Sequence, residues 1–138
     1  MPSNDDISLV AHLMRRAGFG QTRDEIERLA CEGYENTVER LLDPESQPDV
    51  DMYMMGRYHP WTDHPSSIDH HQSRWIYRMV MGKRPLQEKI VLFWHHVFAT
   101  GNAKVENMDE MATEIDLFRD QGMGNFQTLL ERLAKIRP

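Results

Sequence analysis

The chain has 138 residues and a formal net charge of −6 with histidine neutral; 40% of it is hydrophobic and 28% charged, which fits one folded domain with a sizeable core and excludes a disordered chain. The acidic balance speaks against nucleic-acid binding, which calls for a basic stripe, and weakly against anionic membrane surfaces. A single cysteine, Cys31, excludes an internal disulfide, and no apolar run approaches the length of a membrane span.

Apolar residues recur at helical spacing almost throughout, with no hairpin signal and no alternating run of strand length. Met1 to Asp6 is polar and acidic where a secretory signal would be basic and then apolar, so the default location is cytoplasmic. The first helix is expected over about Asp6 to Arg16, with Ile7, Val10, Ala11 and Met14 as its stripe and cap candidates from Ser3 to Asp6. Gly18-Phe19-Gly20 ends it. Thr22 with Glu25 reads as a capping box that starts a second helix, running to about Cys31 and stopping at Gly33. A third covers about Glu35 to Leu42.

Residues 43–65 form an irregular connection rich in proline, methionine, aromatics and histidine, too apolar for a solvated linker. It is expected to lie over the core, with one short helical turn around Met52 to Arg57. The fourth helix runs from near Ser66 to Met81, its face made by Ile68, Trp75, Ile76 and Met79. Pro85 sits in the first turn of the fifth, about Pro85 to Ala99. Leu86, Ile90, Phe93, Trp94 and Val97 share one side of that helix, and Val91, Leu92 and Phe98 widen it nearly all round, the pattern of a buried central helix. A sixth helix follows from about Asn107 to Gln121, with Met108, Met111, Ala112, Ile115 and Phe118 in register; Asn125 then caps a seventh with Phe126, Leu129, Leu130, Leu133 and Ile136. The fold class is therefore all-α: a compact orthogonal bundle of six to seven helices around the 85–99 helix.

Three stretches together resemble the bacterial family called domain of unknown function 1800. They are Ala11-His12-Leu13-Met14-Arg15-Arg16-Ala17-Gly18-Phe19-Gly20, then Arg84-Pro85-Leu86-Gln87-Glu88-Lys89 running into Leu92-Phe93-Trp94-His95-His96-Val97-Phe98-Ala99-Thr100, and Gly124-Asn125-Phe126 with Leu129-Leu130. The family often reads Phe-Trp-His-x-His-Phe in the central stretch; here the second histidine position is Val97 and the extra histidine is His96. Family members are longer and often exported. The resemblance implies that residues 1–138 form a single helical unit, the N-terminal part of a larger domain, and it implies no reaction.

Candidate chemistry is sparse. His95 and His96 diverge by about 100° on a helix and cannot share one ion; Glu88 lies on the side of His95 but roughly 10 Å away by helical rise. His95 therefore reads as a core histidine hydrogen-bonded between helices. The alternative is a metal-binding domain or a metal-dependent enzyme, with a transition-metal site, zinc for example, drawing on His95 with His64, His70 and His71 of the 59–71 segment. Arg15, Arg16, Gly18, Gly20 and Arg23 resemble an anion-holding corner, a glycine-rich backbone before a helix, but neither the dinucleotide nor the Walker A pattern is complete. Cys31 reads as a small buried hydrophobe. Asp109, Glu110, Glu114 and Asp116 read as a solvated face, and the methionines and aromatics, including Trp75, Trp94 and Phe118, as core. The leading expectation is a non-catalytic helical module without a cofactor, whose sticky surface meets the remainder of its own chain or another protein.

Overall fold

The structure, a computed structural model, describes residues 1–58, 67–98 and 108–136, and every regular element within them is helical. Helix α1 (Asn4–Arg16) starts at Ser3, whose hydroxyl accepts the Asp6 N–H at 3.1 Å while the Asp6 carboxylate accepts the Ser3 N–H at 2.9 Å. That reciprocal pair satisfies two of the donors a helix start leaves open. Helix α2 (Arg23–Glu32) begins at Thr22, whose hydroxyl accepts from the Glu25 N–H at 3.4 Å. Glu25 does not reach back as a capping box requires; its carboxylate is drawn to Arg28, one turn on, at 2.6 and 2.8 Å. Gly33, at φ +98°, turns the chain into α3 (Tyr34–Leu42).

A 3-10 turn, Pro44–Ser46, opens the connection. The short turn expected near Met52 is a helix in its own right, α4 (Met52–Tyr58), started by the Asp51 carboxylate, which accepts from the N–H groups of Tyr53 and Met54. It buries Met55. Helices α5 (Ile68–Met81), α6 (Pro85–Phe98), α7 (Met108–Gln121) and α8 (Phe126–Ile136) follow, so the described residues hold eight α-helices rather than six or seven.

Two apolar clusters form the interior. The first joins α1, α2 and α3 through Val10, Met14, Leu29, Ala30 and Leu41, with Leu86 of α6 packed against it. The second joins α6, α7 and α8 through Val91, Phe118, Leu129 and Leu133, flanked by Trp75, Trp94 and Phe98. The aromatics there stack in sequence, Phe126 on Trp94, Trp94 on Phe98 and Phe98 on Phe118, with centroids 5.5 to 5.8 Å apart, the spacing at which offset rings attract. Helix α6 thus begins in one cluster and ends in the other, and it packs against α3, α5 and α7.

The central helix is turned differently from its hydrophobic pattern. Its buried residues are Gln87, Glu88 and Val91. Phe93 and Val97, from the most apolar side, are 52% and 50% exposed, whereas Val91 is fully buried. The reason lies in pairing: the inner side of α6 carries groups that find polar partners on α7, and a paired buried carboxylate is tolerated where an unpaired one is not. Two further expectations fail. Glu114 lies in the interior, not on a solvated face, and Cys31 is exposed on the last turn of α2, where Leu29 and Ala30 take the inward positions.

Candidate functional site

The buried polar groups gather along α6 and its neighbours. Glu88 is 2% exposed, and its carboxylate accepts from Arg119 Nε of α7 at 2.8 Å. The same guanidinium grips Asp49 of the connection through Nη1 at 3.1 Å and Nη2 at 2.6 Å. Gln87 donates its amide to the Arg119 backbone carbonyl at 3.0 Å. Arg84, just before α6, donates to the Gln47 carbonyl through Nε and Nη2 at 2.9 and 2.7 Å. Residues 47–49 are therefore clamped to both α6 and α7. Burial by itself would raise the Asp49 carboxyl, but hydrogen bonds from Arg119 and from the Val50 N–H, with the nearby Arg119 and Arg84 charges, hold it below its ordinary value. Arg119 moves upward in turn: burial opposes its charge, and the Asp49 and Glu88 carboxylates overcome that opposition. Each charge in this cluster faces an opposite one, so it reads as a structural clamp, although Glu88 Oε2 and Gln87 Oε1 are buried without a hydrogen-bond partner among the described residues.

A second polar group set lies between α5, α6 and α7. A cavity of about 110 Å³ is lined by His71, Trp75 and His95, with Ile68, Gln72, Met111, Ala112 and Ile115. The Trp75 and His95 rings meet edge to face with centroids 5.2 Å apart. His71 Nε2, Trp75 Nε1 and His95 Nδ1 are buried without a hydrogen-bond partner among the described residues. His95 is thus a packed histidine, as expected, whose Nδ1 has no hydrogen-bond partner among the described residues. His70 stands edge-on to His71, centroids 5.2 Å apart, and does not line the cavity. His64 lies outside the described residues. Among the described residues no group of three or more His, Cys, Asp or Glu side chains is placed to hold an ion together. Beside the cavity, Asp116 accepts from the buried Arg78 at 2.8 Å and pairs with Arg74 at 3.7 Å.

The proposed anion corner is built for packing at one of its glycines. A Cβ on Gly18 would lie 2.9 Å from the Pro85 side chain, so the absence of one lets α6 start against the end of α1. Lys89 of α6 stands over the Phe19 ring at 5.1 Å. Arg15 and Arg16 are exposed on the last turn of α1, Gly20 holds φ +88°, and Arg23 is ion-paired with Glu27. A groove of about 570 Å³ runs nearby, between α1 to α3 and the α5–α6 turn; Thr22, Arg28, Arg40 and Lys83 line it, and none of Arg15, Arg16, Gly18, Gly20 or Arg23 does. Arg28 is shared by Glu25 and Glu32, and Arg40 pairs with Glu32.

Sequence reasoning missed the clamp and found part of the cavity. The one signal for the clamp was the polar run Arg84-Pro85-Leu86-Gln87-Glu88-Lys89 ahead of an apolar helix; its partners, Asp49 and Arg119, lie too far along the chain for any local pattern. No helix is long and apolar enough to cross a membrane among the described residues. The family model described as "Protein of unknown function (DUF1800)" matches residues 12–136. No curated protein and no solved structure matches the chain.

Proposed function

The chain belongs to the DUF1800 family, whose description names no activity, and we propose from the geometry that it is a non-catalytic helical module that docks through the outward side of its α5–α6 hairpin. The observation that carries this reading is the outward face of α6. Phe93 and Val97 are half exposed there, one turn apart; on neighbouring α5 Ile76, Val80 and Met81 are exposed too, Val80 and Met81 along the groove that faces α1 to α3. Single exposed apolar side chains need no explanation. An exposed pair one turn apart on the most apolar side of a helix is the usual mark of a contact surface.

The occupant is an apolar helical protein surface, laid against α6 by the i, i+4 spacing of Phe93 and Val97. In purified protein with no other partner, a second copy of the chain supplies that surface. Sedimentation velocity over a concentration series tests this, on the wild type and on a Phe93→Glu/Val97→Glu double variant. The wild type should self-associate reversibly and bind an apolar dye. The variant should stay monomeric with unchanged helical circular dichroism, because both positions face outward. A wild type that stays monomeric and binds no dye would overturn the reading.

A further inference from the structure

The groove between α1 to α3 and the α5–α6 turn combines apolar surface with converging positive charge. At about 570 Å³ it falls within the roughly 300–1,000 Å³ that small-molecule sites occupy. Met14, Leu29 and Leu41 of the first apolar cluster close its base. Val80 and Met81 at the end of α5 line it although they are 73% and 57% exposed, and Pro48 and Pro85 add further apolar surface. Exposed apolar side chains along a concave surface shed their water only when something fills it. The groove is pre-formed on the Pro48 side, because Arg84 donates to the adjacent Gln47 carbonyl at 2.9 and 2.7 Å.

The charge on the lining narrows what that is. Arg28, Arg40 and Lys83 line the groove, against Glu25 as the single acidic lining residue among the described residues. Glu32, outside the lining, pairs with both arginines. Three cations against these two carboxylates leave one positive charge in excess, in a chain whose net charge is −6. Lys83 is exposed, and it makes no ion pair among the described residues. The Glu25 carboxyl registers the convergence. Hydrogen bonds from Arg28 hold it below its ordinary value of 4.5, burial opposes them, and the charges of Arg28, Arg40 and Lys83 all act with them.

We propose that this groove binds a small organic monoanion, a carboxylate carried on an apolar body. The carboxylate sits among Lys83, Arg40 and Arg28, and the apolar body lies against Val80, Met81 and Pro48. An inorganic anion would leave the apolar side wet, and a neutral apolar molecule would leave the excess charge unanswered. Because both arginines stay paired with glutamates, Lys83 supplies most of the new attraction. The site is therefore weak, and its charge-dependent part is screened by salt.

The test is a nuclear magnetic resonance titration of the isotope-labelled chain with octanoate, octanamide and acetate. Octanoate should shift the Val80, Met81 and Lys83 signals along one saturable curve. Octanamide, which lacks the charge, should bind more weakly, and so should acetate, by roughly tenfold or more for want of the apolar body. Added salt should weaken octanoate and leave octanamide unchanged. Lys83→Gln should weaken octanoate by roughly fivefold, the scale of one partly exposed charge pair. Met81→Gln should weaken it as well. Both side chains are exposed, so helical circular dichroism should stay as in the wild type. Phe93→Glu/Val97→Glu should bind octanoate as the wild type does, which separates this site from the docking face of α6. Absence of saturation, octanamide binding as tightly as octanoate, or loss of binding in Phe93→Glu/Val97→Glu with retention in Lys83→Gln would each overturn the proposal.

Discussion

Removing the Glu88 carboxylate tests the buried clamp most severely. The group is 2% exposed and sits 2.8 Å from Arg119 Nε. In Glu88→Ala the Arg119 guanidinium, itself 11% exposed, loses its inner partner and keeps only Asp49 on the outer side. Breaking one side of a buried pair typically costs about 3–5 kcal/mol, far more than the pair is worth against apolar replacements. At about 3 °C per kcal/mol for a chain of this size, the melting temperature should drop by roughly 9–15 °C. Urea denaturation followed by circular dichroism gives the same quantity independently. Glu88→Gln keeps an acceptor for Arg119 and should cost clearly less. The double variant Glu88→Leu/Arg119→Met should recover much of the loss, because it leaves no stranded charge. A Glu88→Ala variant within about 1 kcal/mol of wild type, the range of an exposed pair, would refute the clamp. So would a double variant that simply adds the two single losses.

Two further outcomes follow from the same geometry. The Asp49 carboxyl is held below its ordinary value of 3.8, so its contribution is complete above that value and disappears as pH falls through the lowered one. Asp49→Asn should therefore flatten the acid limb of stability below about pH 4, read from thermal melts between neutral and strongly acidic pH; an unchanged limb would remove Asp49 from the clamp. Gly122→Ala would place a Cβ 2.8 Å from Trp94 Cδ1 and 2.3 Å from the Phe118 carbonyl. Overpacking of that kind costs about 1–3 kcal/mol, and the near-ultraviolet dichroism of Trp94 should change with it; a variant as stable as wild type with the same spectrum would show that the contact is not close.

Local signals carried the helices well. Ser3, Thr22, Gly33, Pro85 and Asn125 each start or stop a helix where the sequence places them, because caps act within one turn. The orientation of α6 was not legible. Its wheel is apolar nearly all round, so hydrophobicity alone does not choose a face; Arg119, 31 residues beyond Glu88, makes the choice. Glu114 deceived for a related reason, since it lies in a run of carboxylates whose other members suggest solvent. Cys31 deceived because residue type predicts burial only on average, and the neighbouring Leu29 and Ala30 already fill the inward positions of α2. Of the candidate metal ligands, His71 and His95 come to one cavity although 24 positions separate them. Their meeting depends on how α6 packs against α5, which no spacing rule contains. The adjacent His70, equally plausible in sequence, does not line the cavity.

The docking account rests on which way α6 faces, and cysteine labelling reads that directly. In a Cys31→Ser background, Val91→Cys, Phe93→Cys and Val97→Cys would each be exposed to a thiol reagent in dilute, native protein. Phe93→Cys and Val97→Cys should react as readily as the exposed Cys31 does in the wild type, while Val91→Cys should react only through global opening of the fold. Protected thiols at 93 and 97 with a reactive one at 91 would mean that α6 buries its most apolar side after all, and the proposed docking surface would not exist.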